Sequence, residues 1–292
     1  MNRILFLFLL FYSQLVFSQK EEAVRLFTQL KSCRNDSCRK ETNEQLQLIL
    51  EALLKADNQL KVDLSDMPNC GVLTSKDQKV RIITWNTPID TGAYQYYGFL
   101  QVFNKKLGKY LVFKLQDKSS SIDRPERALL SPEKWLGCLY YKIIETRSGR
   151  NTLYTLLGVE LGNTFTSSKF IEVLSLNPNG VPCFGGNYFQ QYYKKQKLKA
   201  GNQDPGMPKA SFPAGKRNLL KNRWIFEYKY SLQVKLTYNE TEKAIYIPHL
   251  SPPNPSLIGQ YQFYGPDLSV DAIKWRAGKW VLYEDVDARN DK

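Results

Sequence analysis

The stretch "DAIKWRAGKWVLYE", residues 271–284, has the pattern of a β-hairpin. Apolar and polar side chains alternate on both sides of Ala277-Gly278, and a two-residue connection that contains glycine is a common hairpin turn. An indole pair directly across two strands stabilises a hairpin by about 0.2 to 1 kcal/mol and sets its register. With this turn, one face carries three cross-strand pairs: Trp275 with Trp280, Ile273 with Leu282, and Asp271 with Glu284.

The pairing of Asp271 with Glu284 introduces a conflict, because like charges directly opposite each other destabilise a hairpin. A bound cation, a nearby lysine, a raised carboxyl pKa or fraying of the hairpin end would each remove the conflict. We expect the two tryptophans to be structural. We expect the pair of carboxylates either to be neutralised by a neighbouring group or to be separated by fraying of the hairpin end.

The chain from Val80 onward has the same character as this hairpin. Its segments are short and rich in the aromatic and β-branched residues that favour strands, and turn residues separate them at 105–108, 148–149, 179–180, 239–242 and 277–278. The turns and the opening strand "VRIITW" predict about eleven strands, without the strand–helix alternation of a parallel sheet. We therefore expect a mainly β fold over residues 67–292, an antiparallel meander arranged as a sandwich, a barrel or a small irregular propeller.

Residues 1–18, "MNRILFLFLLFYSQLVFS", have the pattern of a secretory signal peptide. Arg3 gives a charged start, an apolar core extends to Tyr12, and Ser18 provides the small residue before a cleavage site. We expect cleavage after Ser18, export to the periplasm or the cell surface, and no transmembrane segment in the mature chain.

Residues 19–66 are predicted to form a helical hairpin that precedes the β domain. Apolar residues recur at three- and four-residue steps on both sides of "CRNDSC", residues 33–38. Because Asn-Asp-Ser can turn the chain back, we expect a disulfide between Cys33 and Cys38, which an exported chain can form. The chain has five cysteines, so at least one is unpaired. With one histidine and no C-x-x-C motif, the sequence predicts no metal site.

A basic segment at 194–223 interrupts the strands with lysine, glycine and proline. It has nine basic residues and one acidic residue, a net charge of +8 within a chain of net charge +13. Such a loop can bind a polyanion in a salt-dependent manner, or it can be a solvated flexible loop. The absence of regularly interleaved aromatic residues argues against nucleic acid as a partner. The candidate polyanion contacts are Lys194, Lys195, Lys197, Lys199, Lys216 and Arg217.

An aromatic cluster in "ITWNTPIDTGAYQYYGF", residues 83–99, is the candidate ligand site. Aromatic faces beside amide and carboxylate groups can stack a sugar or another flat face and hold its hydroxyls. The alternative is an ordinary strand with half of its aromatic residues in the core and half at the surface. The candidate ligand-binding residues are Trp85, Asn86, Asp90, Tyr94, Tyr96 and Tyr97.

Enzymatic motifs are largely missing from the sequence. A triad mechanism would have to use His249, the one histidine, and no G-x-S-x-G nucleophile elbow occurs. Walker A, dinucleotide-binding and H-E-x-x-H motifs do not occur either, so we predict no cofactor. A carbohydrate-active hydrolase remains the alternative, and its carboxylates would come from Asp90, Asp267, Asp271 and Glu284.

Four segments, "WLGCLYYKII", "LYTLLGVE", "FIEVLSLNPNGVPCFG" and "FYGPDLSVDAIKWRAGKWVLYEDVDARN", resemble a family of uncharacterised exported proteins from Bacteroidetes-type bacteria. The resemblance covers roughly Val80 to the C-terminus and implies a location in the cell envelope, without an established activity. The sequence patterns and this resemblance together predict that the protein is a non-enzymatic binding or structural module of the cell envelope. Its expected partner is an envelope glycan, an anionic lipid head group or an envelope protein.

Overall fold

The computed structural model describes residues 2–57, 60–191, 221–284 and 286. All six candidate polyanion contacts of the basic segment lie outside these residues, so the proposed role of that segment stays a prediction.

The described part of the chain is mainly β, with two helices before the first strand, as predicted. The structure has fourteen strands there, more than the expected number of about eleven. Four of them (β1, β8, β9 and β11) are only three or four residues long, too short to show an alternating pattern. The helices are α1 (Asn2–Ser32) and α2 (Asp36–Ala56). The strands are β1 (Gly71–Thr74), β2 (Val80–Pro88), β3 (Tyr94–Asn104), β4 (Lys109–Gln116), β5 (Leu139–Ser148), β6 (Asn151–Glu160), β7 (Thr166–Leu176), β8 (Pro182–Phe184), β9 (Phe189–Gln191), β10 (Arg223–Lys229), β11 (Thr237–Asn239), β12 (Ala244–Ser251), β13 (Gly265–Arg276) and β14 (Lys279–Tyr283).

The predicted disulfide closes the turn between the two helices. Cys33 and Cys38 are bonded, with their Cα atoms 5.6 Å apart. Asn35 caps α2 by accepting a hydrogen bond from the backbone N–H of Cys38, at 2.9 Å. Helix α1 extends back to Asn2 and so includes the predicted signal peptide. Each helix among residues 2–57, 60–191 and 221–284 lacks either the length or the apolar character that a membrane-spanning helix needs.

The strands form three sheets, none of which closes into a barrel among the described strands. The first sheet has the order β1-β2-β3-β4, and the second has the order β10-β7-β6-β5 with β8 added on β7. The third sheet has the order β11-β12-β13-β14-β9. Neighbouring strands are antiparallel except β14 and β9, which pair in parallel, an exception to the predicted meander.

The two helices and the three sheets stack as four layers, as the alternating side chains of the strands show. On β2, Ile83 faces the helices while Ile82 faces the second sheet. On β7, Phe170 faces the first sheet while Ile171 faces the third. Because successive side chains of a strand point to opposite faces, each inner sheet contributes to two apolar interfaces. The order of layers is therefore helices, first sheet, second sheet and third sheet.

Buried polar contacts hold the helices on the first sheet. Arg81 of β2 forms an ion pair with Asp57 after α2, at 2.8 Å, and both side chains are buried. Gln101 of β3 donates from Nε2 to the carbonyl of Leu54, at 2.9 Å. These bonds satisfy carbonyls and a carboxylate at the end of α2 that burial would otherwise leave without partners.

The C-terminal hairpin has the predicted register. Trp275 pairs with Trp280, their rings lie 5.3 Å apart in an edge-to-face arrangement, and Ile273 pairs with Leu282. Ala277 and Gly278 form the turn with positive φ angles of 47° and 79°, as a type I′ turn requires.

Candidate functional site

The six predicted ligand residues do not form a single surface. On β2 and β3, strand alternation points Trp85 and Tyr97 toward the helices, where their rings stack 5.8 Å apart. Trp85 is only 1% exposed, and its indole N–H donates to Asn43 Oδ1 of α2 at 2.8 Å. This tryptophan packs the helical hairpin onto the first sheet.

Three of the six residues, Asn86, Tyr94 and Tyr96, are on the other face of the first sheet, toward the second sheet. Tyr96 is 3% exposed, and its hydroxyl accepts a hydrogen bond from the backbone N–H of Leu161 at 2.7 Å. Burial raises the pKa of Tyr96. Asn86 Nδ2 is buried without a hydrogen-bond partner among the residues that the structure describes. This face of the aromatic cluster joins the two sheets.

Asp90, the sixth residue, is in the exposed turn between β2 and β3. Arg39 of α2 binds its carboxylate at 2.7 Å, and this hydrogen bond holds the pKa of Asp90 below its usual range. Asp90 thus fastens the turn to the helices, apart from the aromatic rings.

A groove with a cavity volume of about 650 Å³ lies on the face of the second sheet that points toward the third sheet. The segment 230–237, which follows β10, forms one of its walls. Most of the groove surface is aliphatic or aromatic, as is usual for a small-ligand site. Its lining residues are Tyr141, Val159, Leu161, Ser167, Lys169, Tyr228 and residues 230–237.

Lys169 of β7 is the half-buried cation of this groove. Its Nζ lies 4.9 Å from the centroid of the Tyr141 ring, a cation–π distance. The Tyr141 hydroxyl donates to the carbonyl of Leu236 at 2.9 Å, which fixes the ring against the groove wall. Burial alone lowers the pKa of Lys169, with no contribution from a carboxylate among the described residues. A half-buried ammonium group without an acidic partner favours the binding of an anion.

Lys169 was not among the site residues predicted from the sequence, although the local sequence indicates that it points toward the core. In "KFIEV", residues 169–173, the lysine shares a strand face with Ile171 and Val173, both of which are buried. A lysine at an inward strand position is unusual, because lysine is rarely buried without a partner.

The opposite face of the same strands carries a second overlooked group, Glu160 of β6. Glu160 and Glu227 both pair with Ser168 of β7, one from each side. Burial, and then the charge of Glu227, raise the pKa of Glu160 to about 7. Glu160 can therefore exchange a proton near neutral pH.

The conflict expected at Asp271 is resolved by a histidine. The ladder between β13 and β14 ends with Ala272 and Tyr283, one pair short of Asp271 and Glu284. On its other side, β13 pairs with β12, and His249 Nδ1 lies 2.9 Å from Asp271 Oδ2. Sequence reasoning gave His249 no such role, because the pairing of β12 with β13 was not predicted.

The pKa of His249 reflects this environment. Burial by itself would lower the pKa. The hydrogen bond and charge of Asp271, with the charges of Asp267 and Glu284, outweigh burial and raise the pKa of His249 above its ordinary value of 6.5. Protonated His249 thus bridges β12 to a carboxylate that is only 5% exposed.

We expect the stabilising contribution of His249 to depend on pH. Because the folded pKa is raised, the contribution is fully present below the unfolded pKa of about 6.5 and is lost as the pH rises through the folded pKa. The His249→Gln protein should therefore be less stable than the wild type in acid, and the difference should shrink above neutral pH. Urea denaturation at a series of pH values measures the free energy of unfolding of each protein. Asp271→Asn is a second variant, and its loss of the carboxylate should also flatten the dependence of stability on pH that His249 causes. A stability difference independent of pH would contradict the assignment.

The four carboxylates of the alternative hydrolase reading fall into two groups. Asp90 is bound by Arg39, whereas Asp271 contacts His249, and Asp267 and Glu284 act on His249 through their charges. No cluster of three or more His, Cys, Asp or Glu side chains that could hold a metal occurs in the described ranges.

The groove thus offers the half-buried cation Lys169, an aromatic ring held beside it and a mainly apolar surface, a composition that can hold an anionic or apolar ligand. Models of known protein families, the curated proteins and the solved structures give no match to this chain.

Proposed function

We propose that this protein is an exported, non-enzymatic binding protein of the cell envelope, and that its groove binds an anionic amphiphile. By this we mean a molecule with an acyl-like apolar body and a carboxylate or phosphate group. The observation that carries the proposal is Lys169, a half-buried cation in an apolar groove with no acidic partner among the described residues.

The charge of the ligand follows from the cost of burying an ammonium group. Desolvation lowers the pKa of Lys169, so part of the interaction energy of the cation with water has been lost. The Tyr141 ring offsets a portion of this loss through its negative face. An anion beside Nζ would offset more, and a hydrogen bond to a charged group stabilises a complex by about 1.5–3 kcal/mol.

The apolar body of the ligand follows from the groove walls. Most of the groove surface is apolar, and Val159, Leu161, Leu232, Val234 and Leu236 contribute aliphatic side chains to it, beside the polar side chains of Ser167, Ser231, Gln233 and Thr237. A sugar has hydroxyls all round its ring and would leave many of them without partners against a mainly apolar surface, whereas an acyl chain needs only apolar contact. Among the expected partners, an anionic lipid therefore fits the groove better than an envelope glycan.

Two observations support an envelope location. The N-terminal 18 residues have the pattern of a secretory signal peptide. The disulfide between Cys33 and Cys38 is of the kind that persists in oxidising compartments.

Decanoate provides a soluble test ligand, with decanamide as its uncharged counterpart. We expect Lys169→Met to weaken decanoate binding by about ten- to a hundredfold, because the charged hydrogen bond is lost while the apolar walls remain. Decanamide binding should be unchanged or slightly improved in the same variant. Isothermal titration calorimetry measures both affinities.

Lys114→Met is the matched control, since Lys114 is an exposed lysine on β4 of the first sheet. It should bind decanoate like the wild type. Equal losses in the two lysine variants would show that general charge, and not the groove, attracts the anion. An absence of decanoate binding to the wild type would contradict the proposed function itself.

A further inference from the structure

We propose that the end of the molecule beside the groove docks on the surface of an anionic lipid bilayer. The inference rests on the proposed function, since it names the source from which the groove would take its ligand. The docking surface, called the loop face below, consists of Phe165, Tyr230, Leu232, Ile258, Tyr261 and Phe263.

Backbone contacts bring three separate loops together at this end. The N–H of Tyr230, after β10, donates to the carbonyl of Phe165 in the loop between β6 and β7, at 3.0 Å. The N–H of Lys229 donates to the carbonyl of Tyr264 at 3.0 Å, which joins the same end of β10 to the loop before β13. Within that loop, the N–H of Gly259 donates to the hydroxyl of Tyr264 at 3.1 Å. The three loops that carry the loop face are thus joined at one end of the molecule.

The apolar side chains of this surface are unusually exposed. Phe165 is 68% exposed and Ile258 is 71% exposed, although both are large and apolar. The others are exposed by 37% to 48%. Single exposed apolar residues are ordinary on a protein surface, whereas a connected group of them marks a binding surface.

The loop face continues into the groove. Tyr230 and Leu232 belong to the loop face and also line the groove that contains Lys169. A lipid whose head group reached Lys169 would therefore leave or enter the groove across the loop face. This continuity favours a lipid surface, which can supply the ligand of the groove, over an unrelated protein partner.

Exposed lysines lie beside the loop face, although the charges of Glu227 and Glu126 also reach Tyr261. Lys229 lies at the end of β10 and Lys235 lies in the groove wall, and both are exposed. Aromatic and aliphatic side chains on loops, next to lysines, are the groups that hold proteins at the interface of an anionic bilayer.

The test is flotation with vesicles of phosphatidylcholine and phosphatidylglycerol, and with vesicles of phosphatidylcholine alone. The wild type should float with the anionic vesicles, and its binding should weaken as salt is added. The double variant Phe165→Ser/Ile258→Ser should bind anionic vesicles at least about tenfold less, because two inserted apolar side chains are lost. All proteins are expressed and purified identically, so that they share the same N-terminus.

Leu107→Ser is the matched control, because Leu107 is 60% exposed in the turn between β3 and β4, outside the loop face. It should float like the wild type. Flotation of the double variant at the wild-type level, or equal losses in the double variant and in Leu107→Ser, would overturn the docking proposal.

Calorimetry with decanoate separates this proposal from the proposed function. Decanoate binding that persists in the double variant, with flotation lost, supports a docking surface distinct from the Lys169 contact. Decanoate binding to a wild type that does not float would overturn docking and leave the groove function intact.

Discussion

Replacing Glu172 with glutamine is expected to lower the free energy of unfolding by about 3–5 kcal/mol, because it leaves a buried cation without its counter-ion. Glu172 of β7 is 1% exposed, and its carboxylate binds Nε of Arg223 at 2.9 Å. Arg223 of β10 is 0% exposed, and its guanidinium also donates to the carbonyls of Ala128 and Phe184. The hydroxyl of Tyr140 donates to the same carboxylate. Urea denaturation with a linear extrapolation measures the change.

Glu240→Gln is the matched control for this prediction. Glu240 bridges Lys76 and Lys142 at the surface, and exposed ion pairs of this kind stabilise proteins by about 0–1 kcal/mol. The double variant Glu172→Met/Arg223→Met should recover much of the loss, because it removes both charges together. A cost below about 1 kcal/mol for Glu172→Gln would contradict the account of this pair.

Trp280→Ala is expected to lower the free energy of unfolding by about 3–5 kcal/mol. Trp280 of β14 is 0% exposed, and its indole N–H donates to Thr155 Oγ1 of β6 at 2.7 Å. The side chain therefore joins the third sheet to the second, and its removal leaves both a cavity and an unpartnered hydroxyl.

Trp275→Ala provides a control within the same hairpin. Trp275 is the cross-strand partner of Trp280 but is only half-buried, so its truncation should cost clearly less. Thermal and urea unfolding of the two variants can be compared directly. An equal or larger cost for Trp275→Ala would show that the hairpin pair, and not the contact between sheets, determines the stability.

Local features of this fold could be predicted because their causes are local. The turn at Ala277-Gly278 and the alternation around it determine the pairing of Trp275 with Trp280. The spacing of Cys33 and Cys38 across a turn likewise allows the disulfide without knowledge of the rest of the chain.

The arrangement of the sheets could not be predicted from the same patterns. Alternation shows that a strand has two faces, but it does not show what covers each face. Trp85 and Tyr96 are neighbours in the predicted aromatic cluster, yet one faces the helices and the other faces the second sheet. A ligand surface could form there only if at least one face of the sheet were left uncovered, and in this fold the helices cover one face and the second sheet covers the other.

The candidate site depended on contacts between distant parts of the chain. Lys169 is enclosed because residues 230–237 cross the second sheet, and no local pattern around the lysine indicates that crossing. His249 meets Asp271 because β12 pairs with β13, which places them together across 22 positions of sequence. In both cases the residue can be recognised in the sequence, but the contact that gives it a role cannot be predicted from the residues around it.

The most direct test of the central claim, that the groove binds an anionic amphiphile at Lys169, is a crystal structure of the protein with decanoate. The account predicts the carboxylate within hydrogen-bond distance of Lys169 Nζ and the acyl chain along Leu232, Val234 and Leu236. Decanoate bound outside the groove, or an empty groove at a decanoate concentration that saturates binding in solution, would contradict it.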